Sequence, residues 1–134
     1  MKLNSKKSDI QASSEKVFGA LTNCNLLQKY IPNVQNWTST EDECSFTVAG
    51  VGNLVLKIVE KLPFEKVVYR AEAAMSQHIE AAFLIEDFSE KSTLEINAEV
   101  DVPFFIAQMV KSSLQKMIDS LVDQIKLGIE TTIA

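Results

Sequence analysis

The most constraining feature of this sequence is its last third, residues 102–133, which has the pattern of one long amphipathic helix. At about 100° per residue, one side of that helix carries a nearly continuous apolar stripe. The stripe consists of Ile106, Met109, Val110, Leu114, Met117, Ile118, Leu121, Val122, Ile125 and Ile129. The pattern runs for roughly seven turns, or about 40 Å, which is longer than most globular helices. A broad apolar surface elsewhere in the chain must therefore cover this helix.

Three residues interrupt the stripe, because Ser113, Gln124 and Gly128 project within about 60° of its centre. In one interpretation, Ser113 bonds to its own helix, Gln124 reaches the rim of the core and Gly128 allows close packing. In the other interpretation, the same residues face a cavity. The helical pattern leaves both interpretations open.

The residues before this helix predict strands and two short helices. Residues 2–12 alternate as a first strand, Ser13 or Ser14 then caps a short helix, and Pro32 ends a second one. From residue 34 onward the apolar period is two, with polar, Gly- or Pro-containing breaks, which is typical of antiparallel strands joined by tight turns. Six strands are predicted there: 34–40, 43–50, 53–61, 65–74, 78–88 and 92–101.

Only one face of the predicted sheet is apolar. The outer face of the last strand carries Glu95, Asn97, Glu99 and Asp101, so that face meets water. A twisted antiparallel sheet curls, and the long helix can lie across its concave side to bury both apolar surfaces. The sequence therefore predicts a single α+β domain spanning residues 1–134. It has a seven-stranded curled antiparallel sheet, two short helices, and one long C-terminal helix across the concave face.

This order of elements resembles the helix-grip fold of the START-like superfamily, also called SRPBCC, which includes the birch-pollen-allergen type and polyketide cyclases. The segments that carry the resemblance are residues 10–18 (IQASSEKVF), 26–32 (LLQKYIP), 50–54 (GVGNL) and 63–69 (PFEKVVY). The resemblance covers essentially the whole chain. Its motifs are topological, so it implies the fold more strongly than an activity.

Composition and charge exclude several classes of protein. A net charge of −5 does not suit a nucleic-acid surface, which needs clustered Lys and Arg. The N-terminus lacks an apolar signal core, and no stretch approaches the roughly 20 apolar residues of a transmembrane segment. We therefore expect a cytoplasmic protein in which Cys24 and Cys44 are reduced and partly buried. A homodimer or another protein partner remains open.

The sequence offers few groups for catalysis. His78 is the one histidine, and no nucleophile-elbow pattern accompanies it. Cys24, Cys44 and His78 lack the spacing of zinc ligands, and the four glycines form no phosphate loop. Arg70 alternates with inward residues and should point outward. We predict no catalytic residue, no metal and no cofactor.

The remaining candidate is a cavity between the sheet and the long helix. We predict that it binds a lipid, sterol-like or polyketide-like molecule, with apolar walls supplying affinity and Tyr69, His78, Ser113 or Gln124 orienting the polar end. The predicted ligand-binding residues are Phe46, Leu56, Tyr69, Ala71, His78, Phe83, Ser113, Met117, Leu121 and Gln124. The competing interpretation is a closed core, filled by large side chains.

Two other functions stay open, and the resemblance implies both. One is a polyketide cyclase or aromatase-like enzyme, which would use His78 or Tyr69 inside the cavity to transfer protons. The other is a protein-interaction module of the chaperone-activator type or of the carbon monoxide dehydrogenase G-subunit type. An exposed apolar patch would favour the latter function. Trp37 is the residue to inspect there, because a regular strand would place it on the face opposite Val34.

Overall fold

The computed structural model describes residues 1–31, 34–48, 52–73, 78–101 and 103–133. The described strands are β1 (Lys2–Asn4), β2 (Ser8–Ile10), β3 (Val34–Ser39), β4 (Glu43–Val48), β5 (Gly52–Leu62), β6 (Lys66–Ala73), β7 (His78–Phe88) and β8 (Lys91–Val100). The helices are α1 (Ser14–Leu21), a 3₁₀ helix (Cys24–Lys29) and the long α2 (Phe104–Ile133). The predicted fold class is confirmed. Predicted features at Pro32, residues 50–51 and residues 74–77 lie outside the described residues.

The strands form one antiparallel sheet in the order β1-β8-β7-β6-β5-β4-β3, with β2 also paired to β8. The first strand, predicted as one segment, is therefore two short strands along the same neighbour. The ladder between them is continued by Ser5. Its backbone N–H donates to the Ile96 carbonyl, and its Oγ accepts from the Ile96 N–H, each at 2.8 Å. Because a side chain replaces one backbone acceptor, the chain can bend there without leaving a buried N–H unpaired.

Strand register lines up the apolar residues in rows across the inner face. In one row Ile58 pairs with Tyr69, Tyr69 with Ala81, and Ala81 with Ala98. Alternation holds along β8, where Leu94, Ile96, Ala98 and Val100 are all buried. The inner face predicted from the period of two is confirmed for these strands.

The two short helices close one end of the sheet. Ser13 caps α1 by accepting from the Lys16 N–H at 3.3 Å, and the buried side of α1 packs against β6, β7 and β8. The 3₁₀ helix is capped by Asn23 and packs against β3 and β4. Inner-face residues beneath this end, such as Val67, Phe83 and Ile85, are buried.

Among its described side chains, the long helix is most deeply buried from Ile118 onward. Its fully or nearly fully buried residues are Ile118, Val122, Ile125 and Ile129, and α2 packs against β1, β2, β8 and α1. Polar tethers hold the same part against the N-terminal strands. The Lys6 N–H donates to Asp119 at 2.8 Å, and the Gln11 N–H donates to Glu130 at 2.9 Å.

The first half of α2 departs from the prediction that the whole stripe is buried. Of the predicted stripe, Met109 is 78% exposed and Met117 is 54% exposed; Phe104 and Phe105, which lie outside the stripe, are 78% and 67% exposed. The helical period identifies an apolar stripe, but it contains no information on how far the covering sheet extends. The first turns of α2 extend beyond the part of the sheet that could bury them.

Candidate ligand cleft

Part of the inner face of the sheet is left half-exposed. We call it the apolar floor, and it consists of Leu54, Leu56, Ala71, Ile79 and Ala81. Leu56 pairs with Ala71, and Ala71 pairs with Ile79, so a small side chain lies between two larger ones. The floor is therefore a partly exposed apolar patch that continues the buried part of the inner face.

The floor is open because the helices cover other parts of the sheet. The short helices lie over the opposite end, and the second half of α2 lies over the β8 side. Ile79 pairs with Val100, the last residue of β8, and α2 begins shortly afterwards at Phe104. The first turns of α2 thus begin near the Ile79 end of the floor.

The other edge of the cleft is formed by stacked aromatic rings. Trp37 on β3 stacks on Phe46 of β4, with 5.0 Å between ring centroids and 12° between planes. Phe46 pairs in turn with Leu54 of the apolar floor. The Nε1 atom of Trp37 is shielded from solvent and has no hydrogen-bond partner in the described part of the chain.

The prediction for Trp37 was wrong. The register between β3 and β4 shifts between Gln35 and Thr38, and Asn36 within this bulge has φ 57°. The extra residue turns Trp37 to the same side as Val34, and both pack against the core. The one signal in the sequence is that Asn tolerates positive φ more readily than most residues, which is too weak to place a bulge.

Tyr69 belongs to the packed end of the core rather than to the cleft. Its hydroxyl donates to the backbone carbonyl of Leu21 at the end of α1, and its ring packs against Phe83 with centroids 5.3 Å apart. Both rings are buried. Burial raises the pKa of Tyr69 far above its ordinary value. The hydroxyl is thus a neutral structural donor.

The other predicted site residues with described side chains lie in the apolar floor, beneath Trp37, or on the half-buried and exposed sides of α2. Phe46 is buried beneath Trp37, whereas Leu56 and Ala71 are in the floor. On α2, Leu121 and Gln124 are half-buried, but Ser113 and Met117 are exposed. The side chain of His78 lies outside the described residues.

The arc of α2 that carries these residues turns towards the 3₁₀ helix. Gly128, on the same arc, approaches Tyr30 so closely that an added Cβ would lie 2.4 Å from the ring Cε1. This contact agrees with the close-packing interpretation of Gly128. The earlier turns of the arc, at Met117 and Ser113, extend beyond that contact and are open to solvent.

The two cysteines are buried side by side. Both thiols are free. Contact with Cys24, together with burial, raises the pKa of the Cys44 thiol. Cys24 lies in the 3₁₀ helix and Cys44 in β4, so the pair joins two elements of the packed end.

A separate polar cleft of about 330 Å³ lies beside the N-terminus. It is lined by Met1, Arg70, Ile79, Glu80, Glu99, Val100 and Asp101. The Met1 ammonium donates to the Val100 carbonyl at 2.8 Å, and Arg70 faces Glu80 at 3.9 Å. The predicted outward orientation of Arg70 is confirmed, and its charge is paired with that of Glu80.

Neither a metal cluster nor a membrane span is found in the described parts of the chain. Among the described side chains, no three His, Cys, Asp or Glu residues are grouped as metal ligands would be. No described helix combines the length and apolar character needed to cross a bilayer.

Solved structures share this architecture. A conserved protein from Geobacillus kaustophilus matches with a TM-score of 0.75 at 16% identity, covering 98% of this chain and 97% of that chain. The Aha1 dimer from Colwellia psychrerythraea matches with a TM-score of 0.64 at 20% identity, covering 96% and 98%. A START superfamily protein from Mycobacterium smegmatis matches with a TM-score of 0.63 at 12% identity, covering 92% and 98%. A search of curated proteins finds no match.

These matches show the helix-grip fold and, together with a family model that matches residues 7–134, confirm the START-like, or SRPBCC, resemblance inferred from the sequence. The family model of CoxG, the G-subunit of carbon monoxide dehydrogenase, matches residues 7–134. The chain belongs to this family. Family and fold together place it among ligand-binding or interaction modules.

Proposed function

We propose that the chain binds a small apolar or amphipathic molecule, such as a lipid or a sterol-like or polyketide-like compound, between the apolar floor and α2. The observation that carries this proposal is the half-exposed floor beside inner-face residues, such as Phe46, Val67 and Phe83, that are buried. Monomeric proteins rarely leave clustered apolar concavities open unless something binds there.

Different residues would form the base and the sides of the proposed binding site. Leu56 and Ala71 form the base, Phe46 with Trp37 forms one side, and the half-buried Leu121 forms part of the helix side. At about 25 cal/mol per Å² of apolar area removed from water, a ligand that buries roughly 200 Å² gains about 5 kcal/mol. That gain is compatible with a reversible binder that releases its ligand.

The test is titration with N-phenyl-1-naphthylamine, whose emission rises in apolar surroundings. Ala81 and Ala82 are neighbours on β7 that face opposite sides of the sheet, and both are half-exposed. We expect Ala81→Phe to fill the floor and weaken probe binding at least tenfold. Ala82→Phe adds the same ring to the outer face and should leave probe binding unchanged.

A second variant that fills the floor controls for misfolding of Ala81→Phe. Ala71→Leu should likewise weaken binding, with circular dichroism showing that the fold is retained. Equal probe affinity in wild type and in both filling variants would contradict the proposal. Native mass spectrometry with organic extraction of the purified protein then identifies any molecule that occupies the cleft.

A second candidate function is self-association through the start of α2. Phe104, Phe105 and Met109 are strongly exposed, and the similar Aha1 structure is a dimer. Sedimentation velocity over a range of protein concentrations tests this function. A dimer should weaken in Phe105→Glu, and a monomer at all concentrations would exclude it.

The cyclase alternative receives less support from the described site. Tyr69, one of its two proposed proton-transfer residues, donates its hydroxyl to Leu21 in the packed end of the core. We therefore favour binding over catalysis.

A further inference from the structure

Trp37 is the only tryptophan of the chain, and its indole N–H is a buried donor that has no acceptor among the described residues. Nε1 is shielded from solvent and finds no partner among the residues that the structure describes. A buried donor left unpaired destabilises the folded state, and most such groups in proteins have a partner. A phenyl ring could stack on Phe46 without that penalty.

The neighbouring polar groups are occupied on the other side of the strand. Asn36 Nδ2 donates to Thr47 Oγ1 at 3.4 Å, and the hydroxyls of Thr38 and Ser45 are 3.3 Å apart. These pairs are exposed, whereas Trp37 turns inward at the bulge to stack on Phe46. The indole N–H is thus separated from the side chains of β3 and β4 that could accept its hydrogen bond.

The indole ring of Trp37 lies next to the apolar floor. Trp37 stacks on Phe46, and Phe46 pairs with Leu54, which belongs to the apolar floor. A molecule lying on the floor would therefore have one end next to the indole, and the ring would have to turn to bring its shielded N–H to that end. The floor itself is made of Leu, Ile and Ala side chains and offers no other polar group to such a molecule.

We propose that Trp37 Nε1 donates a hydrogen bond to an uncharged oxygen, such as a ketone, ester or ether oxygen, at one end of the ligand. This inference rests on the proposed function, because it requires a molecule bound on the apolar floor. An uncharged acceptor fits better than a carboxylate. The described floor residues supply no cation, and an unpaired charge is costly to bury there.

The experiment compares two probes that differ in one group. 2-Tridecanone carries a carbonyl oxygen, and 2-methyl-1-tridecene replaces that oxygen by a methylene of similar size. Each is used to displace N-phenyl-1-naphthylamine from wild type and from Trp37→Phe, which keeps a ring against Phe46 but lacks the N–H. Probe emission is excited directly, so the loss of tryptophan does not affect the readout.

We expect wild type to prefer the ketone over the alkene by about tenfold more than Trp37→Phe does, as a hydrogen bond to an otherwise unpaired buried donor should provide. The alkene should bind both proteins within about twofold of each other. If both probes bind but the ketone preference is the same in the two proteins, the inference is wrong and the proposed function stands. If neither probe binds wild type, both fail.

A second readout does not depend on the variant. A chain with one tryptophan gives one indole N–H resonance in a ¹⁵N-correlated NMR spectrum. The ketone should move this resonance downfield because the proton enters a hydrogen bond, whereas the alkene should change it much less. Equal shifts with the two probes would overturn the inference.

Discussion

Replacement of Gly128 by alanine tests the contact between α2 and the 3₁₀ helix. A Cβ built at Gly128 lies 2.4 Å from Tyr30 Cε1 and 2.8 Å from Cδ1, whereas ordinary contact begins at 3.4 Å. Ring or helix must therefore move by about 1 Å. The Tyr30 ring is 2% exposed, so no space is available for it to swing into. Overpacking of this kind costs about 1–3 kcal/mol.

A matched substitution separates this clash from helix propensity. Gly19 is an exposed position in α1, and the structure describes no atom within 4 Å of a Cβ added there. Gly19→Ala should stabilise the protein by about 0.5–1 kcal/mol, because alanine loses less backbone entropy in a helix. Gly128→Ala receives the same gain but adds the clash. Its free energy of unfolding should thus lie about 1–3 kcal/mol below that of Gly19→Ala.

The assay is urea unfolding followed by circular dichroism, supported by melting temperatures, which should differ between the two variants by roughly 3–10 °C. In a Tyr30→Leu background the clash is removed, and Gly128→Ala should then stabilise as Gly19→Ala does. If Gly128→Ala stabilises the wild type as much as Gly19→Ala, the proposed packing of α2 against Tyr30 is refuted.

Two further predictions concern α2 and Tyr69. Ile125→Ala, at a fully buried position, should lower the free energy of unfolding by about 2–5 kcal/mol. Met109→Ala, at a position that is 78% exposed, should change that free energy by less than about 0.5 kcal/mol. Urea unfolding measures both values, and similar losses in the two variants would contradict the uneven burial of the helix. Tyr69→Phe should cost about 1–3 kcal/mol at pH 7, since the Leu21 carbonyl loses its donor. Because the folded pKa of Tyr69 is raised by burial, its stabilising effect is complete below its ordinary pKa of about 10 and is lost as the pH rises above that value. Unfolding titrations above pH 10 should therefore show a shallower loss of stability in Tyr69→Phe than in wild type, and parallel curves would argue against the buried neutral hydroxyl.

Sequence patterns predicted the strands well because alternation and turn chemistry are local. The predicted strand 53–61 is observed as Gly52–Leu62, and the predicted strand 78–88 as His78–Phe88. Small inner residues such as Ala71 can also be identified from their period alone. Much of the apolar floor is therefore predictable from the amino-acid sequence.

The features missed by sequence reasoning depend on long-range geometry. Trp37 reaches the cleft through a bulge set by the backbone of Asn36, and alternation cannot reveal an inserted residue. Tyr69 was predicted to orient a ligand, but its hydroxyl bonds to Leu21, which lies 48 positions earlier in the chain. Helical periodicity identified the apolar stripe of α2, and only the extent of the sheet decides which half of it is covered.

Because α2 is buried unevenly, unfolding of the whole domain and opening of the first turns of α2 have different free-energy costs. In a helix buried along its whole length, the two costs would be linked. Unfolding of the domain must break the contacts of Val122, Ile125 and their neighbours, which are buried in the main core. Widening of the cleft concerns the turns around Phe104 and Met109, which have few apolar contacts to lose. Local opening of this kind occurs at much lower free energy than global unfolding. Exchange of the proposed ligand at the cleft would then leave the core intact, and substitutions in these turns should change the rate of exchange without a change in overall stability.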